Sequence, residues 1–289
     1  GVNIISASRR TDIPAFYSRW LMGRLRAGAA RYPNPITGQM VAVSLRPEDV
    51  HSIVFWSKHY GPLLEHLDEL HARGYRACFH YTITALPRAL EPHTPDWERS
   101  AEICRALAAR TSPRHVFWRF DPILFTDELG AAHYLERFAA LAAALEGATE
   151  RCIFSFAAFY GKAQRRLSAA AIQYRDPPLD EKRALAERLA EIAGVHGMTL
   201  HACCQDALVG GDVLKAHCID GELLAALFPD QPAITQAGGT RPECGCTASR
   251  DIGAYDTCPF GCLYCYANGR PELADARHRA HREESDALA

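Results

Sequence analysis

Cys258, Cys262 and Cys265 stand at a C-x3-C-x2-C spacing, close enough for one tight loop to wrap around a single metal centre. Thiolates are soft ligands that select zinc or iron–sulfur clusters over oxygen-seeking cations. Pro259 and Gly261 help the backbone turn, and Tyr264 places an aromatic ring just before the last thiol. Three ligands rather than four is the informative count, because a [4Fe–4S] cluster takes four. If the chain supplies no fourth, one iron stays open to another ligand. A zinc reading needs a fourth ligand, which Cys244 or Cys246 could supply.

Cys203, Cys204, Cys218, Cys244 and Cys246 lie outside the trio, and the pair flanking Gly245 is too tightly spaced for ordinary core packing. Four of them, most simply Cys203, Cys218, Cys244 and Cys246, predict a second metal site, with a [4Fe–4S] cluster favoured over zinc. The spacing does not decide between Cys203 and Cys204. Cys78, Cys104 and Cys152 read as core residues. The chain has eleven cysteines, crowded towards its last third. An odd count so placed argues against a secreted disulfide framework and for reduced thiols holding metal in a cytoplasmic protein.

The elements that position these residues follow from hydrophobic periodicity. Apolar strand patterns at 2–7, 52–56, 76–84, 115–120, 151–156 and 198–203 alternate with helical patterns at 16–26, 61–73, 95–110, 129–145 and 180–193. Such alternation implies parallel βαβ units. The expected fold is α/β, a parallel (β/α) TIM-type barrel, full or partial. Residues 1–205 form its body, and a cysteine-rich segment, 206–289, completes it with a last strand within 247–256. At 289 residues and 48% hydrophobic content the chain can bury a large core. A net charge of −2 and no aromatic–basic interleaving argue against a nucleic-acid partner. No uncharged run is long enough to cross a bilayer.

The trio, with its aromatic residue before the last cysteine, resembles the cluster loop of the radical S-adenosylmethionine (SAM) enzymes. The resemblance implies a [4Fe–4S] cluster on Cys258, Cys262 and Cys265 whose open iron binds the amino and carboxylate groups of SAM. Reductive cleavage would then release a 5′-deoxyadenosyl radical, with electrons from a flavodoxin- or ferredoxin-type partner. Members of that superfamily carry this loop after the first barrel strand, whereas here it follows the last. A circular permutation reconciles the two and makes the N-terminal strand the usual second one. The loop after that strand contacts the methionine moiety of SAM, which nominates Ser8, Arg9, Arg10, Thr11 and Asp12, with Tyr264, as cofactor-binding residues.

Ser8-Arg-Arg-Thr-Asp-Ile-Pro14, Val54-Phe-Trp-Ser-Lys58, Trp118-Arg-Phe-Asp-Pro-Ile123, Cys218-Ile-Asp220, Cys244-Gly-Cys246 and the stretch from Asp251 through Asn268 together resemble a bacterial family catalogued as domain of unknown function 1848. That family is described as carrying a radical-SAM-like cysteine cluster at its C terminus, and it brings no established reaction. Among strand-end residues, Arg119 and Asp121 are the expected catalytic pair, because a paired Arg and Asp closing an apolar strand are costly to bury without a ligand or each other. His80 and His201 read as satisfied core histidines, and the basic stretch 162–166 as a solvated helix face. The substrate expected is a small molecule or peptide. The rival reading is a non-catalytic zinc or iron–sulfur protein, serving as a binding scaffold or an electron carrier.

Overall fold

The computed structural model describes residues 1–159 and 161–289. Its strands, in chain order, are β1 (Asn3–Ala7), β2 (Ala29–Pro33), β3 (Met40–Ser44), β4 (Val50–Ser57), β5 (Ala77–Thr82), β6 (Val116–Ile123), β7 (Phe125–Thr126), β8 (Arg151–Phe156), β9 (Tyr174–Arg175), β10 (Thr199–Ala202), β11 (Val213–Lys215) and β12 (Arg250–Asp251). Eight of them form one sheet in the order β11-β10-β8-β6-β5-β4-β1-β12, with every neighbouring pair parallel. The strands buried on both faces are near-continuous apolar runs, as in β4, Val50-His-Ser-Ile-Val-Phe-Trp-Ser57.

From β1 to β11, each successive strand of this sheet adds on the same side. The order never reverses, unlike that of a doubly wound sheet. Right-handed crossovers therefore send the connecting helices, including Trp97–Arg110, Ala131–Leu145 and Leu179–Val195, to one face. That face carries Ile5, Phe55, Phe79, Trp118 and Phe154 into the main core. On the opposite, inner face, Val54, Cys78, Phe117 and Ile153 pack instead against Cys218, Ile219, Leu224 and Phe228. The C-terminal segment thus fills the inner face, where a barrel would place its interior.

The same segment supplies both edges of the sheet, β11 at one end and β12 at the other. β11 is a strand the sequence did not disclose, because three residues carry too little alternation to register. The strand expected at 247–256 shrinks to two residues, because Gly253 turns the chain away beside Ser8. The edges do not pair with each other among the described residues, so hydrogen bonding leaves the sheet open rather than closed into a barrel. The helix expected at 61–73 is broken into Gly61–Leu64 and Leu67–Ala72. No described helix is long and apolar enough to cross a membrane.

Candidate functional site

Because all eight strands are parallel, the loops after β1, β4, β5, β8 and β12 gather at one end of the sheet. The cysteine loop leaves β12 through Gly253, where any Cβ would lie 2.1 Å from Ser8 Oγ, so only glycine allows the approach. Gly261 has φ +70°, the left-handed turn that lets the loop fold back on itself. Asn268 Nδ2 donates to the Cys258 carbonyl at 2.7 Å, and Tyr17 Oη to that of Thr257 at 2.5 Å. Arg166, on helix Gly161–Ala169, donates Nε to the Leu263 carbonyl at 2.9 Å, Nη1 to that of Asn268 at 2.5 Å, and Nη2 to that of Cys265. This corrects the reading of 162–166 as a solvated face: one of its arginines clamps the loop.

Burial pushes the Cys262 thiol up to about 12 and lifts that of Cys258 well above its usual value. Nearby Asp12, Cys265 and Cys262 reinforce the effect at Cys258. Among the described residues, no three His, Cys, Asp or Glu side chains are arranged to hold a metal ion as they stand. The donor set fits a cluster in its chemistry: three soft thiols stand on one loop, and Cys258 and Cys262 are poorly stabilised as thiolates until a metal replaces their protons. Asn268, bonded to the Cys258 carbonyl, keeps Oδ1 buried without a hydrogen-bond partner among the described residues, as does Thr11 Oγ1 in the loop after β1.

The residues expected to bind a cofactor divide into two kinds. Asp251 on β12 accepts from Ser6 Oγ at 2.7 Å, Arg9 N at 2.8 Å, Arg10 Nε at 3.3 Å and Gly253 N at 3.0 Å, and also from Ser8 Oγ. Arg10 further donates to the Pro33 and Asp251 carbonyls at 2.7 and 2.5 Å. Ser8 and Arg10 are thereby committed to fastening the loop after β1 onto β12. Asp12 caps helix Ile13–Phe16, accepting from Ala15 N at 3.0 Å, Ser57 Oγ at 2.7 Å and Lys58 N at 2.8 Å, and burial raises its carboxyl to about 6. The Arg9 carbonyl accepts from Tyr266 Oη at 2.9 Å, so the first loop of the chain and the cysteine loop are in contact.

Tyr264 belongs to a buried charged triad beside Cys262. Its Oη donates to Glu91 Oε1 at 2.5 Å, and Lys58 Nζ donates to Tyr264 Oη and, at 3.1 Å, to Glu91. Thr84 and Thr94 complete the Glu91 carboxylate with hydrogen bonds of 2.9 and 3.2 Å. Burial opposes the Lys58 charge, but Glu91 and the Cys262 thiol outweigh it and keep the ammonium protonated above the ordinary lysine range.

Cys203, Cys204, Cys218, Cys244 and Cys246 converge on the inner face, some on each other: Cys203 Sγ is 3.5 Å from Cys218 Sγ and 3.8 Å from Cys204 Sγ. Arg119 donates to Cys218 Sγ at 3.1 Å and pairs with Asp121 at 2.8 Å, its guanidinium 5.3 Å from the Trp56 ring centre. The pair expected to be catalytic therefore faces the second cysteine set. His80 is buried, bonded through Nε2 to the Cys218 carbonyl at 2.7 Å, and kept neutral by burial, which lowers its ring to about 3; it is a core histidine only half satisfied, because Nδ1 has no hydrogen-bond partner among the described residues.

Sequence reasoning missed Glu91, Asp251 and Arg166, and gave Lys58 no role. Lys58 at the end of β4 carried a positional signal, whereas Glu91 and Arg166 carried none. No curated protein matches the chain. The family model described as Domain of unknown function (DUF1848) matches residues 4–267, a span that takes in all but the first residue of β1 and the whole cysteine loop. The chain belongs to that family.

Proposed function

We propose that this chain is a radical SAM enzyme of permuted strand order, its sheet a partial barrel whose first strand in the usual order is β12. The observation that carries the reading is the packing of the cysteine loop against the loop after β1, at the same end of adjacent parallel strands. Placing β12 before β1 turns the sheet order into an uninterrupted first-to-eighth sequence, which supports the permutation.

Cys258, Cys262 and Cys265 would hold a [4Fe–4S] cluster, with the fourth iron left for the amino and carboxylate groups of SAM. When bound and reduced, the cluster supplies the electron that cleaves SAM to a 5′-deoxyadenosyl radical. The chain's own residues do the positioning. Arg166 and Asn268 fix the carbonyls of the cysteine loop. Thr11 Oγ1 and Asn268 Oδ1 are buried polar atoms with no hydrogen-bond partner among the described residues. Lys58, held by Glu91 and Tyr264, puts a fixed positive charge beside the Cys262 thiolate, where it offsets the charge of the bound thiolates. Asp12 serves this region by capping the helix that follows its loop. A flavodoxin- or ferredoxin-type protein would supply the electron, and the substrate is a small molecule or peptide.

Anaerobic reconstitution with iron and sulfide, followed by SAM and dithionite, tests the reading. 5′-Deoxyadenosine release that disappears in Cys262→Ala is expected. A chain that holds a four-iron cluster on the trio yet neither binds nor cleaves SAM would overturn the enzyme in favour of a scaffold or electron carrier.

A further inference from the structure

We infer that Cys203, Cys218, Cys244 and Cys246 hold one zinc ion as a tetrathiolate site, where spacing alone pointed to a second iron–sulfur cluster. The assignment does not depend on the function proposed for the trio.

The ligands come from three separate places. Cys203 directly follows β10, Cys218 follows β11, and Cys244 and Cys246 sit in the turn before β12. Between helix Gly221–Leu227 and β12 the chain has no helix or strand, only an isolated bridge between Ala237 and Thr247. Irregular stretches of this length inside a compact domain need a tie of their own. The local backbone is built for close approach. A Cβ on Gly245, between the last two cysteines, would meet His217 Nδ1 at 2.6 Å, and one on Gly238 would meet Ala248 Cα at 2.4 Å.

The sulfur distance between Cys203 and Cys218 favours zinc. With Zn–S bonds of about 2.3 Å, sulfurs at the corners of a tetrahedron lie about 3.8 Å apart. Cys203 stands 3.5 Å from Cys218, already close to that edge. A [4Fe–4S] cluster gives each thiolate its own iron, so its ligand sulfurs must stand much farther apart around a larger body. Zinc needs only the centre of the sulfur group. The sulfurs do not surround one point as they stand, so binding requires their side chains to rotate as the ion replaces the thiol protons, which pass to water.

Cations on the sulfurs are an independent pointer, from a buried Arg119, a half-buried Arg9 and an exposed Arg241. Arg9 Nη2 donates to Cys246 Sγ at 2.9 Å, and the Arg9 guanidinium makes no carboxylate hydrogen bond among the described residues. Arg119 donates to Cys218 Sγ, and Arg241 Nη2 lies 3.9 Å from Cys203 Sγ. Guanidinium groups aimed at sulfur suit thiolates that keep a net negative charge on a divalent ion. Cys204, in a left-handed turn at φ 53° and half-buried, is the spare thiol.

The test is metal content of the full chain, purified without added metal. One zinc per chain is expected, retained when Cys258, Cys262 and Cys265 are all replaced by Ala and retained in Cys204→Ala, but reduced at least tenfold in Cys246→Ser. Should Cys246→Ser fail to fold, cobalt(II) exchanged into the unaltered chain is expected to give the visible bands of a tetrahedral tetrathiolate. A full load of about eight irons per chain without zinc, or an octahedral cobalt spectrum, overturns the assignment. Zinc without SAM cleavage removes only the function proposed for the trio. SAM cleavage by a chain with eight irons removes only the zinc.

Discussion

Arg9 touches both cysteine sets: its Nη2 is 2.9 Å from Cys246 Sγ, while its carbonyl accepts from Tyr266, the residue after Cys265, also at 2.9 Å. Its guanidinium lies 4.9 Å from the centre of the Trp56 ring. Arg9→Ala removes the charged contact to sulfur but leaves the backbone contact in place. Loss of a group that supports a metal ligand lowers affinity by about 10–100-fold. The expected outcome is weaker zinc retention against a chelator with unchanged iron on the trio, read by metal analysis after dialysis.

Arg166 is half-buried and serves three carbonyls of the cysteine loop. Arg166→Ala leaves those carbonyls without a common donor. A cost of about 2 kcal/mol is expected for losing charged hydrogen bonds of this kind. The loss should be local, seen as faster amide hydrogen exchange across 258–269 while β4, β5 and β6 keep their protection.

Lys58 and Glu91 form a largely buried ion pair, with side chains 19% and 7% exposed. Removing one partner strands the other, so Lys58→Ala should destabilise by about 3–5 kcal/mol. Lys58→Met combined with Glu91→Gln should recover part of that loss, because neither charge is then left alone. Tyr264→Phe removes one hydroxyl and should cost about 1 kcal/mol. Urea unfolding of the single and double variants measures the coupling.

Asp12 gives a pH dependence of defined sign. Burial raises its carboxyl from the ordinary 3.8 to about 6 in the folded chain. Between those values the folded state binds a proton that the unfolded state has lost. The contribution is fully present below pH 4 and is lost as pH rises through 6. Relative to Asp12→Asn, the unsubstituted chain should therefore lose about 3 kcal/mol of stability between pH 4 and pH 7. Unfolding curves of both proteins across that window check it.

The central strands were legible because each is an apolar run closed by polar residues, from Asn3–Ala7 to Thr199–Ala202. The cysteine loop was legible from spacing, and its contact with the first loop of the chain from the permuted strand order that the resemblance to radical SAM enzymes implied. What escaped was either too short or set by tertiary contact. β11 has three residues, and nothing local distinguishes Glu91 from any other loop carboxylate. Arg166 lies on a helix whose sequence looks solvated, and only the arrival of a distant loop shows what it holds. The loop after β1 was read as a binding surface, but Ser8 and Arg10 turn inward to Asp251, a partner more than 240 positions away.

Both edges of the sheet come from the last part of the chain, and this bears on biosynthesis. While the first 205 residues emerge from the ribosome, six parallel strands can pair, but β1 and β10 wait with unpaired backbone amides and carbonyls. Exposed strand edges template wrong pairings with other chains. The nascent protein is therefore most prone to aggregate just before its cysteine-rich portion appears. A fragment ending near Gln205 should be recovered mainly from inclusion bodies, and supply of metal during translation should raise the soluble yield of the whole chain.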